Sequence, residues 1–211
     1  MKRFLSFGCR AGAAIGSNIV AKRLYSTVNV QETTPSLWLT ASEMSFCKAE
    51  GVLRGWNMGG GTAKEYYERG VTLSFNQWGA DGVVNYLLDD TSTEANYADA
   101  LGGFGGAAAK ASTITIKWDD NAPMDEKMER LITQKWIALF PNGQEAWNEI
   151  RRTGYPRIFS VPQATNGYTL LTPNRIPFDK NQQINNRSNY DKAVELLGGP
   201  DDYATPMWWQ R

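Results

Sequence analysis

The sequence predicts a mainly α-helical protein, built from tetratricopeptide-like helical hairpins with a loop-rich C-terminal region and little β structure. Two observations favour this class. Apolar residues recur with helical spacing in three stretches of the 211-residue chain, within residues 40–57, 62–79 and 124–153. The first two stretches each open with a capping box, the pattern that marks the first turn of a helix.

The first hairpin is predicted over residues 41–78. Its capping boxes pair Thr40 with Glu43 and Thr62 with Glu65, and three glycines at 59–61 form the turn between the helices. A phosphate-binding loop is the alternative for these glycines, but no strand precedes them and no Lys-Ser/Thr follows. The stripes, interpreted as core, contain Phe46, Ala49, Val52, Leu53 and Trp56, and then Tyr67, Val71, Ser74, Phe75 and Trp78.

This hairpin has tetratricopeptide character. Ala63, Tyr67 and Gly70 follow the A-x3-F-x2-small pattern of a second repeat helix, and Ala49 is suitably placed in the first helix. One such unit cannot bury its own apolar face. We therefore expect further helices to pack against it, from this chain or from beyond it.

The middle of the chain is predicted to form short helices and one short strand. Short helices are predicted over 83–90 and around 94–101, followed by a Gly/Ala connector at 102–109. Residues 112–118 alternate with period two and form the only plausible strand. Asp119-Asp120-Asn121 is interpreted as a solvated turn, because it lacks the spacing of an EF-hand calcium loop.

A second hairpin is predicted over residues 124–153. Its first helix carries an apolar stripe from Met128 to Phe140, and Pro141-Asn142-Gly143 makes the turn. Its second helix ends at Gly154, which suits a left-handed C-cap. Both large side chains of the pair, Trp136 and Trp147, are predicted to be buried and to fasten the hairpin.

After Pro156 the chain is rich in proline, asparagine and glycine, which predicts loops up to Ser188. A last short helix is expected from Ser188, acting as its cap, to Leu197. Beyond it, Trp208 and Trp209 lie in a terminal loop.

Composition excludes several classes of function. The net charge is zero, so no electrostatic footprint for nucleic acid exists. Histidine is absent, which removes Ser-His-Asp sites and His-ligated metal sites. The two cysteines are too few for a disulfide framework or a zinc cluster. No apolar run approaches the about 20 residues of a transmembrane helix. We expect no cofactor, no metal and no transmembrane segment.

The N-terminus leaves an alternative open. Residues 11–24 have modest helical character, and MKRFLSFGC resembles a shortened lipoprotein signal that ends at Cys9. Its apolar region is shorter than usual and fits a lipobox poorly. An ordinary cysteine in a chain that continues further upstream is the favoured interpretation.

Three runs carry a family resemblance: residues 132–158, residues 54–60 with 65–79, and residues 196–211. Together they resemble the C-terminal part of a SusD/RagB-type protein, a lipid-anchored nutrient-binding protein of the Bacteroidetes outer membrane. The resemblance implies that residues 1–211 are one α-helical region of a longer protein. The lipid anchor is then expected in a preceding N-terminal part, and the protein at the cell surface.

The resemblance also implies a function. Such proteins bind glycans without catalysis and deliver oligosaccharides to a TonB-dependent, SusC-like transporter for nutrient uptake. Weak candidates for glycan binding are Trp38, Trp208 and Trp209, because indole faces stack on sugar rings. The alternatives are a peptide-binding relative and a helical-repeat scaffold for protein partners.

An enzyme is the third possibility. Glu145 and Glu149 lie one turn apart, and the pairs Asp119-Asp120 and Asp201-Asp202 are adjacent in sequence. A glycosidase needs two carboxylates across a cleft, and no spacing here indicates that arrangement. We therefore expect no enzymatic activity.

Overall fold

A computed structural model of the chain describes residues 25–26, 28, 31–99, 106–159 and 173–210. The predicted helical character of residues 11–24 and the interpretation of Cys9 lie outside these ranges. The predicted mainly α-helical class is confirmed. The described elements are α1 (Ala41–Leu53), α2 (Ala63–Trp78), α3 (Val83–Leu87), β1 (Tyr97–Ala98), β2 (Ala107–Ala108), α4 (Met124–Ala138), α5 (Gly143–Thr153), α6 (Lys180–Asn185), α7 (Arg187–Leu197) and a 3-10 helix (Trp208–Gln210).

The predicted hairpin over 41–78 is present as α1 and α2. The Thr40 hydroxyl accepts a hydrogen bond from the Glu43 amide at 3.1 Å. At the second helix the box is reciprocal: the Thr62 hydroxyl accepts from the Glu65 amide, and the Glu65 carboxylate accepts from the Thr62 amide at 2.8 Å. Both helix starts therefore satisfy backbone donors that would otherwise lack partners.

The close approach of α1 to α2 depends on small side chains. A Cβ atom on Gly70 would lie only 2.7 Å from the Phe46 ring. The Ser42 hydroxyl donates to the Gly70 carbonyl at 2.7 Å, and the Ser45 hydroxyl donates to the Tyr66 carbonyl at 2.8 Å. Two helices that share side-chain-to-backbone hydrogen bonds must lie nearly in van der Waals contact. The tetratricopeptide-like spacing of Tyr67 and Gly70 thus has a packing basis.

A third helix, α4, completes the core. It packs against both α1 and α2, and Leu131 is fully buried between them. Tyr67 contacts the Trp118 ring at 5.0 Å between centroids, so the segment before α4 also enters the core. The cluster of buried residues comprises Phe46, Ala49, Ala63, Tyr66, Tyr67, Val71, Trp118, Leu131 and Ala138.

The predicted strand over 112–118 is wrong. In the described part of the chain the only ladder is the antiparallel pair β1–β2, which pairs Tyr97 with Ala108 and Ala98 with Ala107. Residues 112–118 form no ladder there: the Lys117 amide donates to the Asp89 carbonyl at 2.8 Å, and side chains bond two other backbone carbonyls of the segment. Arg130 Nε donates to the Thr115 carbonyl at 3.0 Å, and the Tyr67 hydroxyl donates to the Ile116 carbonyl at 2.6 Å. Such bonds replace a neighbouring strand.

The elements around that segment also differ from expectation. A helix was predicted over 83–90, and α3 occupies Val83–Leu87 within it. The helix predicted around 94–101 is wrong where it is described, because Tyr97–Ala98 forms β1. The Gly/Ala connector includes β2 at Ala107–Ala108.

Four tryptophans predicted as core residues are not in the buried core. Trp56 is 62% exposed, Trp78 is also exposed, Trp136 is 37% exposed, and Trp147 is half-buried. Helical spacing shows that a residue shares a face with its apolar neighbours. It does not show that another element covers that part of the face. Trp118, which was assigned to the strand, is the buried one.

A largely buried charge cluster joins α1, α4 and α5, with Arg152 on its exposed side. Lys135 Nζ lies 2.7 Å from a Glu149 oxygen, and Arg152 bonds both Glu149 at 2.7 Å and Glu50 at 2.6 Å. Lys135 Nζ also lies 3.4 Å from the Cys47 sulfur. This set, Glu50, Lys135, Glu149, Arg152 and Cys47, is the charge cluster below. It ties the second hairpin to α1 through polar contacts.

The C-terminal region contains more helix than predicted. α6 was missed, and α7 begins at Arg187, so Ser188 lies inside the helix and is not its cap. The buried Asp201 carboxylate holds this region together. It forms an ion pair with Arg175 and accepts hydrogen bonds from the Phe178 amide and the Tyr190 hydroxyl. One carboxylate thereby links the segment before α6, helix α7 and the chain after it.

Candidate functional site

A cavity of about 550 Å³ opens beside α4. Tyr86 of α3 and three segments complete its wall: residues 92–97, 112–116 and 156–159. Its described lining consists of Tyr86, Ser92, Thr93, Glu94, Tyr97, Ser112, Ile114, Thr115, Ile116, Arg130, Thr133, Gln134, Trp136, Ile137, Pro156, Arg157, Ile158 and Phe159. The volume falls within the range of about 300–1,000 Å³ for small-molecule sites. We call it the α4 cavity.

Most of the wall is apolar, and part of it is aromatic. Ile114 and Ile116 contribute branched side chains from the tethered segment, and Trp136 contributes an indole from α4. Tyr97 and Phe159 pack against each other with ring centroids 5.8 Å apart and planes inclined by 51°. Flat apolar faces of this kind suit the C–H faces of sugar rings or apolar side chains.

Arg130 is the most unusual polar residue of the wall. It is only 5% exposed, and no carboxylate in the described part of the chain forms an ion pair with it. Nε and Nη2 bond the Thr115 carbonyl and hydroxyl, whereas Nη1 is buried without a hydrogen-bond partner among the described residues. A buried charge is costly unless it is paired. The wall therefore holds an uncompensated positive charge.

Gln134 lies one helical turn after Arg130, on the same face of α4. It is 7% exposed, and its Oε1 accepts a hydrogen bond from the Tyr86 hydroxyl at 2.9 Å. Burial raises the pKa of Tyr86, so the phenol stays protonated and remains a donor at neutral pH. Because Oε1 faces Tyr86, the amide nitrogen Nε2 is left over, and it has no partner within the described ranges.

The other charged lining residues are already engaged. Glu94 Oε2 accepts from the Ala111 and Ser112 amides at 2.7 and 2.9 Å. Arg157 lies 3.6 Å from Glu129. Glu94 is the one carboxylate in the described lining, so the paired carboxylates of a glycosidase are not present in that part of the wall. The α4 cavity is equipped to bind and to orient.

A second, smaller hollow of about 470 Å³ shares Trp136 with the α4 cavity. Trp78 and Phe140 line it, with ring centroids 5.7 Å apart, and Ile137 borders both cavities. Among its described lining residues none carries a charge. We call it the apolar hollow.

The predicted binding tryptophans lie elsewhere. Trp38, 87% exposed, precedes α1, and Trp208, 81% exposed, starts the 3-10 helix. Trp209 is less exposed because the Arg151 guanidinium lies between it and Trp147, 5.0 Å from one ring and 3.8 Å from the other. None of the three predicted residues is among the described lining of either cavity. Their role in binding stays a prediction.

Sequence reasoning missed the polar residues of the α4 cavity. Arg130 and Gln134 are four residues apart on α4, and each adjoins the predicted apolar stripe, which is buried at Leu131 but exposed at Trp136. That spacing is the available signal, but polar residues at such spacing usually face solvent. The aromatic pair Tyr97 and Phe159 is separated by 62 positions and carries no signal in a single sequence.

In the described part of the chain, no group of three or more Cys, Asp or Glu side chains is placed to hold a metal ion. None of the helices in that part is long and apolar enough to cross a membrane.

Comparison with known proteins identifies relatives. Residues 3–210 match a family model described as SusD-like, the SusD and RagB outer membrane lipoproteins. Among proteins with curated functions none matches. A solved SusD homologue from Bacteroides uniformis ATCC 8492 is 43% identical, with a TM-score of 0.82, over 89% of this chain and 39% of its own.

Two further solved structures are similar. A SusD-like protein from Bacteroides thetaiotaomicron VPI-5482 has 40% identity and a TM-score of 0.88, over 97% of this chain and 44% of its own. A chitin-binding SusD homologue from Flavobacterium johnsoniae has 42% identity and a TM-score of 0.76, over 82% of this chain and 36% of its own. The chain thus spans less than half the length of these relatives.

Proposed function

Because this chain belongs to the SusD and RagB family of outer membrane lipoproteins, we propose that it is part of a non-catalytic protein that binds glycans at the cell surface. The observation that carries the proposal is its 42% identity to a SusD homologue described as chitin-binding. The aromatic wall of the α4 cavity supports it, since Trp136 and the Tyr97–Phe159 pair offer faces for sugar rings.

Delivery is the second step of the proposal. The bound oligosaccharide passes to a TonB-dependent, SusC-like transporter, and residues 1–211 act as one region of the binding subunit. The support is the family membership, together with a cavity that has binding groups in its described lining and no pair of carboxylates there. Holding a glycan without cleaving it is what a capture subunit requires.

Titration calorimetry of the chain tests glycan binding. The panel contains chitin, starch and acidic oligosaccharides, with peptides of similar size as competitors. We expect at least one glycan to bind, and Phe159→Ala in the cavity wall to weaken that binding. Phe178→Ala is the matched control, because Phe178 packs against Tyr190 in the C-terminal region. Co-purification with the transporter tests delivery.

Two outcomes would overturn the proposal. If the folded protein binds none of the glycans, the glycan-binding function is wrong. If it hydrolyses any of them, the protein is an enzyme.

The alternative is a peptide or protein ligand. One observation favours it: the apolar hollow presents Trp78, Ile137 and Phe140, all partly exposed, in a surface with no charge among its described lining residues. Such a surface suits an apolar side chain of a partner. Binding of peptides with no binding of glycans in the same panel would select this alternative.

A further inference from the structure

The described wall of the α4 cavity carries an excess of positive charge. Two arginines, Arg130 and Arg157, line it with one glutamate, Glu94. Arg157 faces Glu129 at 3.6 Å, and the Glu94 charge is stabilised by two backbone amides. Within the described chain, the Arg130 guanidinium bonds only neutral groups, the carbonyl and the hydroxyl of Thr115. A negative charge in this cavity would therefore complement Arg130.

On this face of α4, the hydrogen-bonding groups that have no described partner are donors. Arg130 lacks a described partner for Nη1, and Gln134 lacks one for Nε2. The two residues are one turn apart on the same face of α4, so their side chains are neighbours. Donors without acceptors call for a ligand group that accepts several hydrogen bonds, and a carboxylate is such a group, with about four lone pairs.

The rest of the α4 cavity wall indicates which kind of ligand contains the carboxylate. Ile114, Ile116 and Trp136 provide apolar surface that a sugar ring can cover, whereas Glu94 Oε1 has no described partner and can accept from a hydroxyl. Resting on the glycan-binding function proposed above, we propose that the α4 cavity binds an acidic sugar, with the Gln134 amide contacting the carboxylate and the buried Arg130 charge attracting it. The ligand class is thus an oligosaccharide that contains a uronic acid.

The test compares two ligands with the same sugar backbone, one with free carboxylates and one with uncharged methyl esters. A trimer of α-1,4-linked galacturonic acid and its fully methyl-esterified form are titrated into the 211-residue chain by calorimetry. We expect the acid to bind at least tenfold tighter than the ester, and this preference to shrink as sodium chloride is raised. A tri-glutamate peptide tests whether any carboxylate suffices, and we expect it to bind at least tenfold more weakly than the acid.

Gln134→Glu is the decisive variant. It preserves the shape of the side chain and the acceptor for Tyr86, but it replaces the donor with a negative charge. We expect the acid to lose at least tenfold in affinity and the ester to change less than threefold. Gln77→Glu introduces the same charge on the exposed end of α2 and should change neither affinity.

Arg130→Met should abolish the preference for the acid, and circular dichroism checks that the variant still folds. If it does not, Gln134→Glu decides alone.

Equal affinity for the acid and the ester would overturn the acidic-sugar proposal and leave the glycan-binding function in place. Tighter binding of tri-glutamate would overturn it in favour of a peptide ligand. Failure of both trimers, with binding of a neutral glycan from the larger panel, would also overturn it, whereas failure of every glycan would remove the proposed function as well.

Discussion

Gly70 controls the contact between α1 and α2. An added Cβ would meet the Phe46 ring at 2.7 Å, and this ring is fully buried. We expect Gly70→Ala to lower the free energy of unfolding by about 1–3 kcal/mol, the usual cost of overpacking a core. The gain in helix propensity, about 1 kcal/mol, offsets part of the strain. Urea denaturation followed by circular dichroism measures the difference.

Gly143 provides the matched control. It starts α5, and an added Cβ would meet nothing within 4 Å. Gly143→Ala should therefore leave stability unchanged or raise it by up to about 1 kcal/mol. If the two alanine variants are equally stable, Gly70 does not set the helix spacing.

The tryptophan on α4 should matter less for stability than a smaller neighbour. Leu131 is fully buried, and Leu131→Ala should cost about 2–5 kcal/mol. Trp136 lies between two cavities and is partly exposed, so Trp136→Ala should cost less than Leu131→Ala despite the larger side chain. Thermal unfolding of both variants tests this order. A larger loss for Trp136→Ala would mean that its indole is part of the core.

The charge cluster is the main polar link between the elements. Removing one partner of a buried ion pair leaves the other charge uncompensated, which typically costs about 3–5 kcal/mol. We expect a smaller loss for Lys135→Met, because Glu149 loses Lys135 in the interior but keeps its ion pair with Arg152. Lys64→Met breaks an exposed pair with Glu68 and should change stability by less than about 0.5 kcal/mol. Chemical denaturation of both variants provides the comparison.

The same cluster predicts how stability depends on pH. Burial raises the pKa of Glu50, but hydrogen bonds and charges from Arg152 and Arg54 outweigh it, so the pKa lies below its usual value of 4.5. A lowered carboxyl pKa stabilises the fold above the unfolded-state pKa and loses this contribution as pH falls through the folded-state value. We expect the wild type to exceed Glu50→Gln in stability at pH 7, and the difference to shrink below about pH 4.5.

Unfolding curves at several pH values test this expectation. A stability difference that stays constant from pH 7 to pH 3 would show that the Glu50 charge makes no net contribution.

The elements that could be predicted from the sequence are those determined by local interactions. Both capping boxes lie within four consecutive residues, and the α4 stripe repeats every three to four residues. These signals locate α1, α2 and α4 well. The segment 112–118 was misread because the alternation of its side chains resembles a strand, while its actual partners, Tyr67 and Arg130, lie far away in sequence.

Less of the candidate site than of the fold could be predicted from the sequence. Arg130 looks like an ordinary helical surface arginine until the 112–116 segment is seen to cover it. Conversely, Trp38 and Trp208 were predicted to bind glycans because they are tryptophans. Both are exposed, and neither is among the described lining of a cavity. Burial of a polar side chain is a property of the assembled fold, so it is absent from a list of residue types.

At the scale of the whole molecule, apolar surface remains exposed beside the second hairpin. The apolar hollow and its rim include Trp78, Ile137 and Phe140, each substantially exposed. Patches of this kind promote association. We expect the chain to bind a fluorescent apolar dye and to self-associate at high concentration, and Trp78→Gln to reduce both. Dye titration and sedimentation velocity measure them.

Ile184→Gln is the control for this surface, because Ile184 is also exposed but lies on α6, and it is not among the described lining of the hollow. It should change dye binding far less than Trp78→Gln. A chain that binds no dye and stays monomeric at high concentration would contradict the prediction.

The tethering of residues 112–118 bears on how such a cavity can evolve. Tyr67 and Arg130 bond the carbonyl oxygens of Ile116 and Thr115, and every amino acid possesses that oxygen. Substitutions at Ile114 or Ile116 therefore alter the lining while leaving those attachments intact. Selection for a new ligand can therefore change the lining of the α4 cavity one residue at a time, with little effect on the stability of the fold.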